Sequence, residues 1–136
     1  MNTTTLADVE ARYSLTHHDH LDRQAAIPVV TNLAAQGDVL IIRRGDVTAT
    51  TPIPAQGFPV VRGEVGANTH LLVGDGFYDP SGSVSAQILR LGVLTVPEGG
   101  TTLLSHPEHG GLLIAAGSYE IRRQREMAEQ TRMVQD

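Results

Sequence analysis

The sequence predicts a mostly β protein: a small antiparallel β-sandwich or barrel with an N-terminal helical arm and a short C-terminal tail. Three observations carry that reading. Beyond Gln36-Gly37 the chain breaks into short apolar segments separated by Gly- and Pro-containing turns at near-regular spacing, the pattern of small sandwiches and barrels. Fourteen Gly and seven Pro in 136 residues favour many turns over long helices. With three Tyr, two Phe and no Trp, the core must be built from Val, Leu, Ile and Ala. A chain of this length makes one core. Residues 1–35 read as an arm and residues 36–136 as the β domain with its tail.

The elements follow in order. Thr5-x-x-Asp8 resembles a capping box with Asp in place of Glu, and Leu6, Val9 and Tyr13 then fall on one helical face. A helix of two to three turns does not persist alone in water, so it needs a surface to lie on. Thr16 to His20 ends one element and starts another. Pro28 suits the first position of a new helical turn, with Val29, Val30 and Leu33 as its buried side and Gly37 as its stop. An extended segment from Ile27 to Val30 is the competing reading. Val39 to Arg43 is a compact apolar strand. Thr48 to Gly57 is rich in Thr and Pro and reads as a loop or edge segment. Phe58 to Val61, His70 to Val73, Val84 to Val96 and Leu112 to Ile114 are further strands. Gly74-Asp75-Gly76 and Asp79-Pro80-Ser81-Gly82 are turns, and Pro97-Glu98-Gly99-Gly100 ends the longest strand. Ser118 to Arg122 is the last strand, and a helix or tail follows Gln124.

Composition narrows the function classes. The formal net charge is −5, and all ten cationic side chains are Arg. An acidic chain lacks the basic footprint of a nucleic-acid binder. The absence of Cys excludes disulfides, thiolate metal sites and cysteine nucleophiles. No apolar run approaches the ~20 residues that span a bilayer. Met1 to Thr5 has no leader character, so synthesis in the cytoplasm is expected.

From residue 36 onward the sequence resembles a family of small uncharacterised bacterial and phage proteins. The blocks that carry the resemblance are Gln36-Gly37-Asp38-Val39-Leu40, Gly63-Glu64, His70, His106-Pro107-Glu108-His109, Gly117-Ser118-Tyr119, Gln124-Arg125-Glu126 and the tail Val134-Gln135-Asp136. Two positions depart from the family pattern. Asn68 stands where the first His of a Gly-His-x-His turn is expected, and Met127 where a Tyr follows Gln-Arg-Glu. The family brings no established activity. A phage origin would imply a virion component, and the first 35 residues would be an addition.

Three groups of side chains could carry function. His70, His106 and His109, with Glu64 or Glu108, make the ligand set by which cupin-like barrels hold one Fe, Mn or Zn ion. The paired His-x-His of a cupin is missing. The competing reading has His106 and His109 capping a turn through backbone hydrogen bonds. His17, His18 and His20, beside Asp19 and Asp22, form a second polar cluster, read as solvated. Arg122, Arg123 and Arg125 could meet a partner's carboxylates, with Arg123 and Arg125 on one face and Arg122 on the other. Leu6, Val9 and Tyr13 are the arm's contact residues. No phosphate-binding glycine loop, nucleophile elbow or His-Glu-x-x-His helix is present. Ser105 beside His106 is not evidence of a triad, because triad partners meet in space rather than in sequence.

These readings converge on a non-enzymatic structural or interaction module in a larger assembly, self-associated or with other proteins and without a cofactor. A phage head-decoration or accessory virion protein is its specific form. A cupin-like metalloprotein using His70, His106 and His109 is the alternative.

Overall fold

The computed structural model of the chain describes residues 4–62, 69–81 and 90–123. Helix α1 (Leu6–Tyr13) starts at Thr5, whose Oγ1 accepts from the Asp8 N–H at 3.2 Å while Asp8 accepts from the Thr5 N–H at 2.9 Å. That reciprocal pair is the expected capping box, with a one-carbon-shorter acid. Ser14 closes the helix in a left-handed conformation, φ 57°.

The strands are β1 (Val29–Val30), β2 (Leu33–Gln36), β3 (Val39–Arg43), β4 (Phe58–Val61), β5 (His70–Gly74), β6 (Phe77–Pro80), β7 (Arg90–Val96), β8 (Thr102–His106), β9 (Gly110–Ile114) and β10 (Gly117–Arg123). They form two five-stranded sheets, β1-β9-β8-β5-β4 and β2-β3-β10-β7-β6. Among the described residues every strand pairing is antiparallel except β1 with β9. Neither sheet closes on itself, so the sandwich alternative holds rather than the barrel.

The inner cluster between the sheets includes Val39, Ile41, Leu72, Leu94, Leu104, Tyr119 and Ile121. A second cluster lies on the outer face of the first sheet, where Leu6, Val9 and Ile27 pack on Val73 and Leu103. The architecture is therefore layered: N-terminal segment, first sheet, second sheet. It explains why all five residues of β8 are buried. Alternate side chains enter opposite layers, Leu104 the inner and Leu103 the outer, so neither face meets water.

The expected N-terminal helix is present as α1, and the residues after it join the sheets. The surface that α1 needs is supplied by its own chain, and Leu6 and Val9 are 3% and 2% exposed there. Pro28 does not open a helix. Its carbonyl accepts from the Leu113 N–H at 2.9 Å and that of Val30 from the Ala115 N–H at 2.9 Å, setting Val29–Val30 beside β9. Leu33 to Gln36 then pairs with β3. Tertiary pairing overrides the helical spacing here, and β-branched Val29 and Val30 suit the extended form.

Phe77–Pro80 is a strand at a sheet edge rather than the start of a turn, and Pro80 ends it where a missing N–H costs little. The Asp79 carboxylate accepts from the N–H groups of Thr50 and Thr51, tying the Thr/Pro-rich segment to that edge. Of the expected strand Val84 to Val96, β7 covers Arg90–Val96, and the preceding residues lie outside the described ones. So do the tail and Arg125.

Candidate functional site

Two turns, one from each sheet, meet at one end of the sandwich. Gly37-Asp38 links β2 to β3, and Pro107 to His109 links β8 to β9. Gly37 sits at φ +58°, and a Cβ there would stand 3.0 Å from His109 Nε2 and 3.3 Å from His70 Cε1. Glycine thus serves both the turn and the close approach of the rings. The three rings gather beneath: His70 and His106 centroids are 4.4 Å apart, His106 and His109 4.4 Å, His70 and His109 6.5 Å.

The hydrogen bonds assign the state of each ring. Gln36, buried at the end of β2, donates from Nε2 to the carbonyls of Leu104 at 3.0 Å and Gly110 at 3.3 Å. Carbonyls only accept, so the amide orientation is fixed and its Oε1 accepts from His70 Nδ1–H at 2.9 Å. A neutral His70 then turns its Nε2 lone pair toward Asp38 Oδ1, 3.4 Å away. Asp38 is held from the other side by Arg123 Nη2 at 2.9 Å.

Burial lowers the His70 pKa to about 4, helped by the neighbouring His106 and His109 and opposed by Asp38. For Asp38, burial works upward, but the hydrogen bond and charge of Arg123, with a smaller contribution from His70, pull its pKa below the usual value. At neutral pH the pair is an uncharged imidazole facing a carboxylate.

His106 behaves differently. Its Nδ1 accepts from the N–H groups of Glu108 at 3.1 Å and His109 at 3.2 Å. With Nδ1 used as acceptor, the neutral ring carries its proton on Nε2. His106 therefore caps the turn and presents no lone pair to a metal while the turn holds. His109 is exposed at the turn and Glu108 points into solvent beside it; Glu64 lies outside the described residues. Among the described residues no three His, Asp or Glu side chains are arranged to hold a metal ion.

The other sequence candidates separate. Arg123 pairs with Asp38, while Arg122 pairs with Glu120 at 3.4 Å, so both meet carboxylates of their own chain. Glu120, buried on β10, also accepts from Arg44 at 2.9 Å and Arg90 at 3.3 Å. Arg123 Nε is buried without a hydrogen-bond partner. His18 and His20 are exposed, whereas His17 is buried and bonded to Glu10 and Ser105.

Gln36 and Asp38 are site residues that sequence reasoning did not assign. Their signal is the Gln36-Gly37-Asp38 block, which carries part of the family resemblance and otherwise reads as the turn before a strand. Residues 35–124 match a family described as a domain of unknown function, DUF8820, and since the match covers more than half of the sequence, the chain belongs to that family. No curated protein and no solved structure matches it.

Proposed function

We propose that this member of the DUF8820 family is a structural or interaction module that works within a larger assembly by presenting open sheet edges. One observation carries the reading. β1 and β2 are edge strands of different sheets joined only by Thr31 and Asn32, and each exposes a large apolar side chain, Val29 at 63% and Leu33 at 64%. Natural edges are blunted by charge or proline, and β2, Leu33-Ala34-Ala35-Gln36, carries neither. A strand of a second copy added to β2 would gain backbone hydrogen bonds and cover Leu33. The specific form of this reading is a phage head-decoration or accessory virion protein, supported by the resemblance of residues 36–136 to phage-associated sequences.

Light-scattering mass on the untagged protein tests it. A discrete oligomer that dissociates in Leu33→Lys, with the circular dichroism spectrum unchanged, supports the reading. A monomer at tens of micromolar rejects self-association through this edge.

A second reading is favoured by the His70–Asp38 contact. Two acceptor atoms face each other at 3.4 Å. Ligands at roughly 2.1 Å from a tetrahedral ion stand about 3.4 Å apart, so a Zn-like cation fits between them. His70 and Asp38 would supply two ligands. Elemental analysis after metal supplementation decides it: about one Fe, Mn or Zn per chain, lost in Asp38→Asn, supports the cation. Metal-free protein from that preparation rejects it.

A further inference from the structure

We infer that Ser105 is an acyl-accepting nucleophile, with His17 as its general base and Glu10 positioning His17, and that this group cleaves small carboxylic esters. The inference goes beyond the assembly reading, departs from the expectation of a non-enzymatic module and rests on other residues.

The three side chains form one hydrogen-bonded line. Ser105 Oγ lies 2.8 Å from His17 Nε2, and His17 Nδ1 lies 3.1 Å from Glu10 Oε2. A carboxylate only accepts, so Nδ1 carries the proton and Nε2 is left to accept from the Ser105 hydroxyl. That is the tautomer a serine nucleophile requires of its base. For Glu10, burial works against the charged form, but the His17 hydrogen bond and then the Arg23 charge prevail and keep its pKa below the usual carboxylate value.

The line is held rigidly. Arg23 donates to both Glu10 oxygens, at 3.2 and 3.3 Å, and to the carbonyls of His17 at 2.6 Å, His18 at 2.7 Å and Leu21 at 3.0 Å. One guanidinium therefore fixes both the carboxylate and the loop that carries the base. Ser105 sits on central strand β8, between Leu71 of β5 and Gly111 of β9. A nucleophile on a doubly paired strand does not drift from its base.

Ser105 also opens on a pocket lined by Leu15, Thr16, Thr69, Leu71 and Pro107. Leu15, Leu71 and Pro107 give a short acyl chain an apolar wall, and Thr16 supplies a hydroxyl that can donate to a developing oxyanion.

The reaction balances within these groups and water. As Ser105 Oγ bonds the ester carbonyl carbon, its proton passes to His17 Nε2. Collapse breaks the bond to the alkoxy oxygen, which takes that proton and leaves as the alcohol. Water, deprotonated by His17, then releases the carboxylic acid and restores the Ser105 hydroxyl.

The test uses the full chain with p-nitrophenyl acetate and a fluorophosphonate probe, read by intact mass and peptide mapping. The expected result is one label per chain on Ser105, none on Ser105→Ala, and labelling slowed about 100-fold or more in His17→Gln, as loss of a general base implies. Glu10→Gln slows labelling and Glu10→Asp restores it in part, because a carboxylate is needed to hold the proton on His17 Nδ1. Equal labelling in Glu10→Gln and wild type overturns the positioning role of Glu10. Wild-type protein unlabelled at Ser105 by millimolar probe overturns the proposal, as does equal labelling in wild type and His17→Gln. Neither outcome bears on the oligomer's mass, so this inference and the assembly reading fail separately.

Discussion

His106, the last residue of β8, and His17, bonded to Ser105 of the same strand, lie on its opposite faces, and their roles diverge because of what each ring's Nδ1 touches. On the inner side, His106 Nδ1 accepts two backbone N–H groups of its own turn. On the outer side, His17 Nδ1 faces the Glu10 carboxylate. The first arrangement consumes the ring's basic nitrogen in closing a loop. The second leaves a basic nitrogen aimed at a hydroxyl. Identical side chains, both 3% exposed, become a turn cap and a base through one neighbouring atom.

The largest effects that can separate the two faces come from adjacent leucines of β8, both fully buried. Leu104→Ala opens a cavity between the sheets and Leu103→Ala opens one under α1, each costing about 2–5 kcal/mol. Chemical denaturation checks the size. The expected distinction is that Leu103→Ala also loosens the N-terminal segment, seen as faster amide exchange in residues 6–13, while Leu104→Ala does not do so selectively.

Next in size is a pH effect confined to the inner face. His70 titrates at about 4 in the folded chain against 6.5 in the free side chain. Between those values the unfolded chain binds more protons, so stability rises with pH. His70 contributes fully above pH 6.5, and the contribution is lost as pH falls to 4. The amount is roughly 3 kcal/mol at 1.36 kcal/mol per pH unit. Denaturation midpoints measured across that window should fall in wild type and fall less steeply in His70→Gln. An identical slope in both would assign the acid sensitivity elsewhere.

The smallest expected effect belongs to the outer layer. Thr5→Ala removes the cap of α1 and should cost about 0.5–2 kcal/mol by thermal unfolding. A change within experimental scatter would mean that packing of Leu6 and Val9, rather than the cap, sets the helix.

What could be read from residues alone follows the range of the forces involved. The Thr5–Asp8 box, strands β3, β4 and β5, and the turns at Gly74 and Pro97 are local, and local chemistry announces them. Residues 27–30 admitted an extended reading beside a helical one, and only the partners in β9 and β3 decide it and the strand Leu33–Gln36 that follows. The rings of His70, His106 and His109 lie close together, but the state of His106 depends on amide directions that no spacing reveals. Gln36 and Asp38 looked like turn residues because a buried glutamine that orients a ring has no signature in sequence. Ser105 and His17 are separated by 88 positions, so nothing short of a folded chain could join them.

The packing of α1 on β5 and β8 has a consequence for the order of synthesis. Leu6 and Val9 emerge from the ribosome early, yet Val73 and Leu103, the residues that cover them, come much later. For most of translation the helix has no surface, and at its length it does not hold alone. Helix α1 is thus made well before the strands that bury it, and until β8 appears its apolar face is open to chaperones and to other nascent chains.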